Sequence, residues 1–362
     1  MTLPRITLLA TLLLAAPAAA QLQITPPATI PSPAPEKQKA KEPAKDKPKV
    51  APHTITKKKD AAPKPSASPS PTLPATVIPA PATDNSNVDL VFGAYQRGQY
   101  KTAFDLASAR AKTGDAKAMT MLGELYSNAM GIRRDYAKAL EWYKRAADAG
   151  DREAMFALAM LRIAGRGGPV DKGEAVKLMA SAAKLGQPKA AYNLALLYLD
   201  GQTLPQDLRR SAELLRQAAD AGVPEAQYAL ATFYKEGTGV PKDPERSVRL
   251  LQAASLADNV DAEVEYAIAM FNGTGTPKNQ PAAVALLRKA SRQGSAIAQN
   301  RLAWVLINGM GTSVDKVEGF KWHLVAKTSG KGDPELDKQL ADLPADDRAK
   351  AEAAAKKWLG TK

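Results

Sequence analysis

The side chains that most often perform chemistry are scarce in this chain. Its 362 residues include no cysteine and two histidines, His53 and His323. Without cysteine there is no disulfide, thiol nucleophile or thiolate metal ligand, and no thiol to carry a lipid. Two distant histidines do not build a multi-histidine metal site. Only His323 falls in a stretch of globular character, and no serine–histidine–acid grouping assembles around it. It stands in a column otherwise filled by Tyr143, Met179, Leu215, Leu251 and Leu287. As the last member of that column it is expected half-exposed and without a catalytic role.

The acids are a more regular signal. Asp135, Asp171, Asp207, Asp243, Asn279 and Asp315 follow one another at a spacing of 36. A ladder of carboxylates invites a calcium reading. Each rung, however, lies one repeat from the next, about 10 Å if helix pairs pack at their usual distance, and has no clustered partners. Each rung stands just before an apolar run of helical period. That is the N-cap position, where a short side-chain oxygen accepts from an otherwise unpaired backbone N–H. The aromatic residues Phe156, Tyr192 and Tyr228 keep the same spacing. They point to binding rather than bond making.

These residues are positioned by an internal repeat. Gly114, Gly150, Gly186, Gly222, Gly294 and Gly330 share the period, with Asp258 in the one slot that lacks glycine. Six units follow without insertion: 114–149, 150–185, 186–221, 222–257, 258–293 and 294–329. Ala118, Ala154, Ala190, Ala226, Ala262 and Ala298 form one alanine column. Ala146, Ala182, Ala218, Ala254, Ala290 and Ala326 form a second. Alanine held at one slot in every unit implies helices that approach too closely for a larger side chain. The inter-helix glycines Gly131, Gly167, Gly239, Gly275 and Gly311 permit positive φ where the chain reverses. Each unit is therefore helix–loop–helix, a hairpin that buries its apolar face only against its neighbours.

The pattern Ala118, Leu122-Gly123, Tyr126, Gly131-Ile132, Asp135, Lys138-Ala139, Trp142, Lys144-Arg145-Ala146-Ala147, Gly150 resembles the Sel-one-like repeat, a 36-residue relative of the tetratricopeptide repeat. The likeness covers about 114–330. It implies an all-α fold, a right-handed α-solenoid of six repeats. Residues 88–113 and 331–362 are expected as helical caps. Some bacterial relatives carry a cysteine pair in each repeat; this chain has none.

The resemblance further implies that the first helix of each pair lines a concave face. Three columns would then face inward: Thr120, Phe156, Tyr192, Tyr228, Val264, Asn300; Glu124, Met160, Leu196, Thr232, Ile268, Trp304; and Ser127, Ile163, Leu199, Lys235, Phe271, Ile307. From these, Phe156, Met160, Tyr192, Leu196, Tyr228, Ile268, Phe271 and Trp304 are taken as the partner-binding set, because aromatic and aliphatic side chains on an open face anchor partners. The competing reading is that they pack between repeats.

The first twenty residues carry Arg5, an apolar run from Ile6 to Ala16, and Ala18-Ala19-Ala20. This is the pattern of a secretory signal, with cleavage expected after Ala20. The run is shorter than the roughly 20 residues needed to span a bilayer; an uncleaved anchor is the alternative. The expected location is the periplasm, or the exterior if secretion is complete. Residues 21–87 include fifteen prolines and no Trp, Tyr or Phe, the composition of a disordered tether. Its lysines, including the run Lys57–Lys59, offer weak contact with cell wall or anionic lipid. The formal net charge of +13 is spread as +1 over residues 1–20, +5 over 21–87 and +7 over 88–362. No segment is a dense basic patch, so nucleic acid is not an expected partner.

The function expected is a non-enzymatic scaffold or adaptor for a protein or peptide partner in the envelope, with no cofactor and no metal. A surface binder of cell-wall glycan or anionic lipid is the alternative. A hydrolase, known among a few relatives, is a distant third.

Overall fold

The computed structural model describes residues 89–360. The export-signal and tether readings, with His53 and the lysine run, lie outside the described residues. Among these residues the regular structure is entirely helical, in sixteen helices. A short hairpin of α1 (Leu90–Gln96) and α2 (Tyr100–Ala111) comes first. Six pairs follow: α3 (Ala116–Asn128) with α4 (Tyr136–Asp148), α5 (Arg152–Ala164) with α6 (Lys172–Lys184), and α7 (Pro188–Asp200) with α8 (Leu208–Asp220). The rest are α9 (Pro224–Glu236) with α10 (Pro244–Leu256), α11 (Val260–Asn272) with α12 (Gln280–Arg292), and α13 (Ala296–Ile307) with α14 (Lys316–Thr328). Two further helices, α15 (Pro334–Ala341) and α16 (Ala345–Gly360), end the described chain. Nearly every helix packs on its sequence neighbours; α16 instead reaches past α15 to α14. The result is an α-solenoid, whose core runs along the stack as a row of apolar clusters.

Both alanine columns are buried in every repeat, none more than 2% exposed. Ala146 and Ala154 share one apolar cluster, as do Ala182 and Ala190, and Ala290 and Ala298. The second helix of one repeat thus meets the first helix of the next on methyl groups. A larger side chain at either column would force the repeats apart, because packed interiors hold no spare volume.

The acidic ladder is a set of N-caps. Asp135, Asp171, Asp207, Asp243, Asn279 and Asp315 each accept from the backbone N–H three residues on. The same residue donates its own N–H to the carbonyl nine positions upstream, as in Asp135 to Tyr126 at 3.1 Å and Asp243 to Tyr234 at 2.8 Å. One short residue therefore starts the second helix and ties it back to the first. The first helices carry their own caps, unremarked in the sequence pattern: Asp115, Asp151, Gln187, Asn259 and Ser295, with Val223 supplying none.

The repeat-boundary glycines end the second helices. Gly150 (φ 89°) donates to the Ala147 carbonyl and Asp151 to that of Ala146, the paired bonds of a Schellman motif. Asp258 holds the same left-handed conformation (φ 59°), and the bonds to Ser255 and Ala254 persist. The glycine-less repeat keeps the turn and bears its strain.

His323 departs from expectation. It is fully buried rather than half-exposed, because α15 lies against α14 and places Asp337 Oδ1 2.8 Å from its Nε2. Lys327 Nζ binds the same carboxylate at 2.8 and 2.9 Å.

Candidate partner-binding face

The first helices lie side by side along one face, and side-chain hydrogen bonds join several of them to the next. Thr120 Oγ1 donates to Asp151 Oδ1 at 2.9 Å, Lys235 Nζ to Glu265 Oε2 at 2.8 Å, and Trp304 Nε1 to Asp333 Oδ2 at 2.9 Å. Asn300 closes the last step on the Lys331 carbonyl. Helical periodicity brings residues three and four apart onto this face, so the columns become neighbouring stripes.

Seven of the eight residues singled out from sequence are half-buried on this face: Phe156, Met160, Tyr192, Leu196, Tyr228, Ile268 and Trp304. Phe156, Met160 and Tyr192 pack against one core cluster, Tyr228 against a second, and Ile268 and Trp304 against a third. Phe271 is the correction. It is 7% exposed and belongs to the core with Ala283 and Leu287 of the second helix of its own repeat. Ile307, in the same column, packs where Gly319 leaves no side chain: a Cβ built there would stand 2.6 Å from Ile307 Cγ1. Val264 is likewise buried, at 4%. The column formed by Met121, Ala157, Asn193, Ala229, Glu265 and Arg301 is half-exposed in every repeat. Its mixed residue types hid it from a search for apolar stripes.

Electrostatics mark the middle of the face. Burial pushes the Tyr228 phenol up to about 12, and the Glu265, Asp261 and Glu236 carboxylates push in the same direction. Burial and Glu225 raise Tyr192 as well. Both phenols are therefore neutral donors at physiological pH, and no hydrogen bond engages either hydroxyl among the described residues. Glu225 beside Tyr192, and Glu265 and Asp261 beside Tyr228, come from the following repeat, which a column-by-column reading does not reveal.

At the N-terminal end the face opens into a cleft of about 700 Å³. Phe92, Tyr95 and Met121 line it, with Thr120, Glu124 and Arg152 at its edge. Phe92 is 51% exposed. This cleft joins α1, α3 and α5, so no single stretch of sequence announces it. Among the described residues no group of His, Cys, Asp and Glu is arranged to hold a metal ion, and no helix is long and apolar enough to cross a membrane.

Comparison with known proteins agrees with this architecture. No protein with a curated description matches the chain. A protective antigen of uropathogenic Escherichia coli displaying an SLR fold aligns at a TM-score of 0.64 and 26% identity, over 72% of this chain and 56% of its own. The chain thus spans little more than half of that protein. A Sel1 repeat protein from Oxalobacter formigenes aligns at a TM-score of 0.59 and 25% identity, over 66% of this chain and 98% of its own. The Sel1 repeat matches six consecutive segments, 116–151, 152–187, 188–223, 224–259, 260–295 and 296–330. Each begins with the first helix of a pair, two residues after the glycine-based units. With six tandem copies covering more than half of its length, the chain belongs to the Sel1 repeat family.

Proposed function

We propose that the chain is an exported, non-catalytic adaptor that holds an extended segment of a partner protein along its first-helix face, in the service of envelope regulation or signalling. Sel1 repeat solenoids generally mediate protein–protein interaction and are typically scaffolds without catalysis. The observation that carries the reading is the alignment of Phe156, Tyr192 and Tyr228 in three consecutive repeats, each half-buried. Repeats stacked about 10 Å apart match one turn of an extended polyproline II segment, about 3.1 Å per residue with three residues per turn. One partner side chain in three would meet each aromatic. Glu225, Glu236 and Asp261 have no ion partner within the described residues, so the segment would combine apolar with basic side chains. The export pattern at residues 1–20 supports a periplasmic setting.

The test is site-specific photo-crosslinking in envelope extract, with a benzophenone side chain at position 192, at 228, and at 213 on an exposed second helix. The same protein crosslinked at 192 and 228 but not at 213 is the expected result. Equal yields at all three positions, or none at 192 and 228, would remove the groove reading.

One observation favours a second reading, a binder of cell-wall polymer or anionic lipid. The second helices α4, α6, α8, α10, α12 and α14 hold 17 basic and 7 acidic residues, against 6 and 8 on the first helices α3, α5, α7, α9, α11 and α13. Such binding weakens steeply with added salt, whereas an apolar groove holds its partner.

A further inference from the structure

The basic excess of the second helices is concentrated at one place. Of these helices, α12 alone carries three cations and no acid: Arg288, Lys289 and Arg292. Lys289 is committed, with Asp258 and Glu263 on its ammonium group. Arg288 and Arg292 are not; within the described residues neither guanidinium has a hydrogen bond or an ion pair. Two like charges four apart on a helix repel, and no acid of the described residues pairs with either.

Both arginines face a cleft of about 190 Å³, completed by Glu318, Lys321, Trp322 and Trp358. One wall is aromatic: the two indoles meet edge to face at 5.1 Å between centroids. Lys321 Nζ lies 4.2 Å from the Trp322 ring and 5.3 Å from that of Trp358. The single acid is already used. Glu318 accepts from Trp322 Nε1 at 2.7 Å and from Lys321 at 3.2 Å. Lys321 and Glu318 cancel, which leaves the two guanidiniums and a surplus charge of two.

The geometry points to a binding site for a phosphoryl dianion in this cleft, held by Arg288 and Arg292 against the Trp322–Trp358 wall. The charge decides the ligand class. A carboxylate would leave one cation uncompensated, whereas a phosphate monoester near neutral pH carries close to two negative charges. Guanidinium forks match its oxygens. Size narrows the ligand further. Drug-sized ligands occupy roughly 300–1,000 Å³, so this cleft admits a phosphate and the first atoms of its carrier. The carrier is either nothing, as in the free ion, or an apolar body continuing along the indoles, as in an anionic lipid. The site bridges α12, α14 and α16, and a bound anion would fasten the final helix to the repeats. The inference is independent of the adaptor reading.

The test titrates the full chain with inorganic phosphate at constant ionic strength, with chloride as the balancing anion. Calorimetry and tryptophan fluorescence follow binding. A parallel arm measures co-sedimentation with phosphatidylcholine vesicles with and without phosphatidic acid. Arg288→Gln combined with Arg292→Gln is the comparison, and Arg292→Gln alone serves if the double variant fails to fold. Saturable binding in either arm, weakened tenfold or more in the variant, supports the site. Which arm responds tells free phosphate from lipid-borne phosphate. Without ligand the variant should melt no lower than the parent, since a repulsion has been removed. Equal binding by parent and variant, or no saturable binding in either arm, overturns it.

Discussion

Glu263 shows how a single residue departs from its column. Gln227 and Gln299 occupy the same slot in other repeats, and each donates its amide to the carbonyl eight residues upstream, at 3.2 and 3.1 Å. Glu263 is fully buried, with Lys289 on one oxygen and no hydrogen-bond partner for the other. A buried polar atom left unpaired costs about 1–3 kcal/mol. Glu263→Gln should therefore raise stability by about 1 kcal/mol in chemical denaturation, because the amide can donate to the Ser255 carbonyl while Lys289 keeps its acceptor. A loss of stability would mean that the ion pair outweighs the orphaned oxygen. Asp337 gives a pH signature. The Lys327 ammonium, followed by His323, holds its carboxyl below the usual range. A folded-state value depressed below the unfolded one adds stability at neutral pH, and this is lost as pH falls through the folded value. The stability gap between parent and Asp337→Asn should thus be constant above about pH 5 and close below about pH 4. A gap that stays constant down to pH 3 would show that the pairing contributes nothing.

At the scale of the element, the turns inside each repeat depend on left-handed residues. Ala129 holds φ 59° at the end of α3, where five other repeats place glycine. Gly309, the last of these, follows α13 at φ 65°. Ala129→Gly should stabilise the protein by about 1 kcal/mol, the cost of placing an L-residue in this region. Gly239 is the opposite case. It combines φ 65° with a close approach, since a Cβ there would lie 2.2 Å from the Leu208 carbonyl oxygen. Gly239→Ala should cost more than about 2 kcal/mol, because strain and a backbone clash between consecutive repeats add. Thermal melts of the two variants, shifting in opposite directions, check the pair together. The glycine column was legible from spacing alone. That Gly239 also sets the distance to the preceding repeat was not, because Leu208 is a neighbour only after the hairpins have stacked.

At the scale of the whole molecule, a stack whose units touch only their neighbours loses stability from an uncovered end. Leu336, Leu340, Leu343, Ala351 and Ala355 cover the last repeat, in one cluster with Phe320, Trp322 and Val325. A chain ending at residue 330 should lose hydrogen-exchange protection in α13 and α14 while α5 to α8 keep theirs. A uniform fall along the stack would instead show one cooperative unit. The period, the helix pairs, the caps of the second helices and the buried alanines followed from the sequence, because a repeated slot makes a local preference visible six times over. Tertiary structure decided what happens between slots. It buried Phe271 and His323, left Phe156, Tyr192 and Tyr228 half open, and set carboxylates of one repeat beside the phenols of another. It also gathered Arg288, Arg292, Lys321, Trp322 and Trp358 from three helices into one cleft. Spacing along a chain reports the environment that every copy shares. The exposure of a particular side chain depends on the sizes of its neighbours across the stack, and those differ from repeat to repeat.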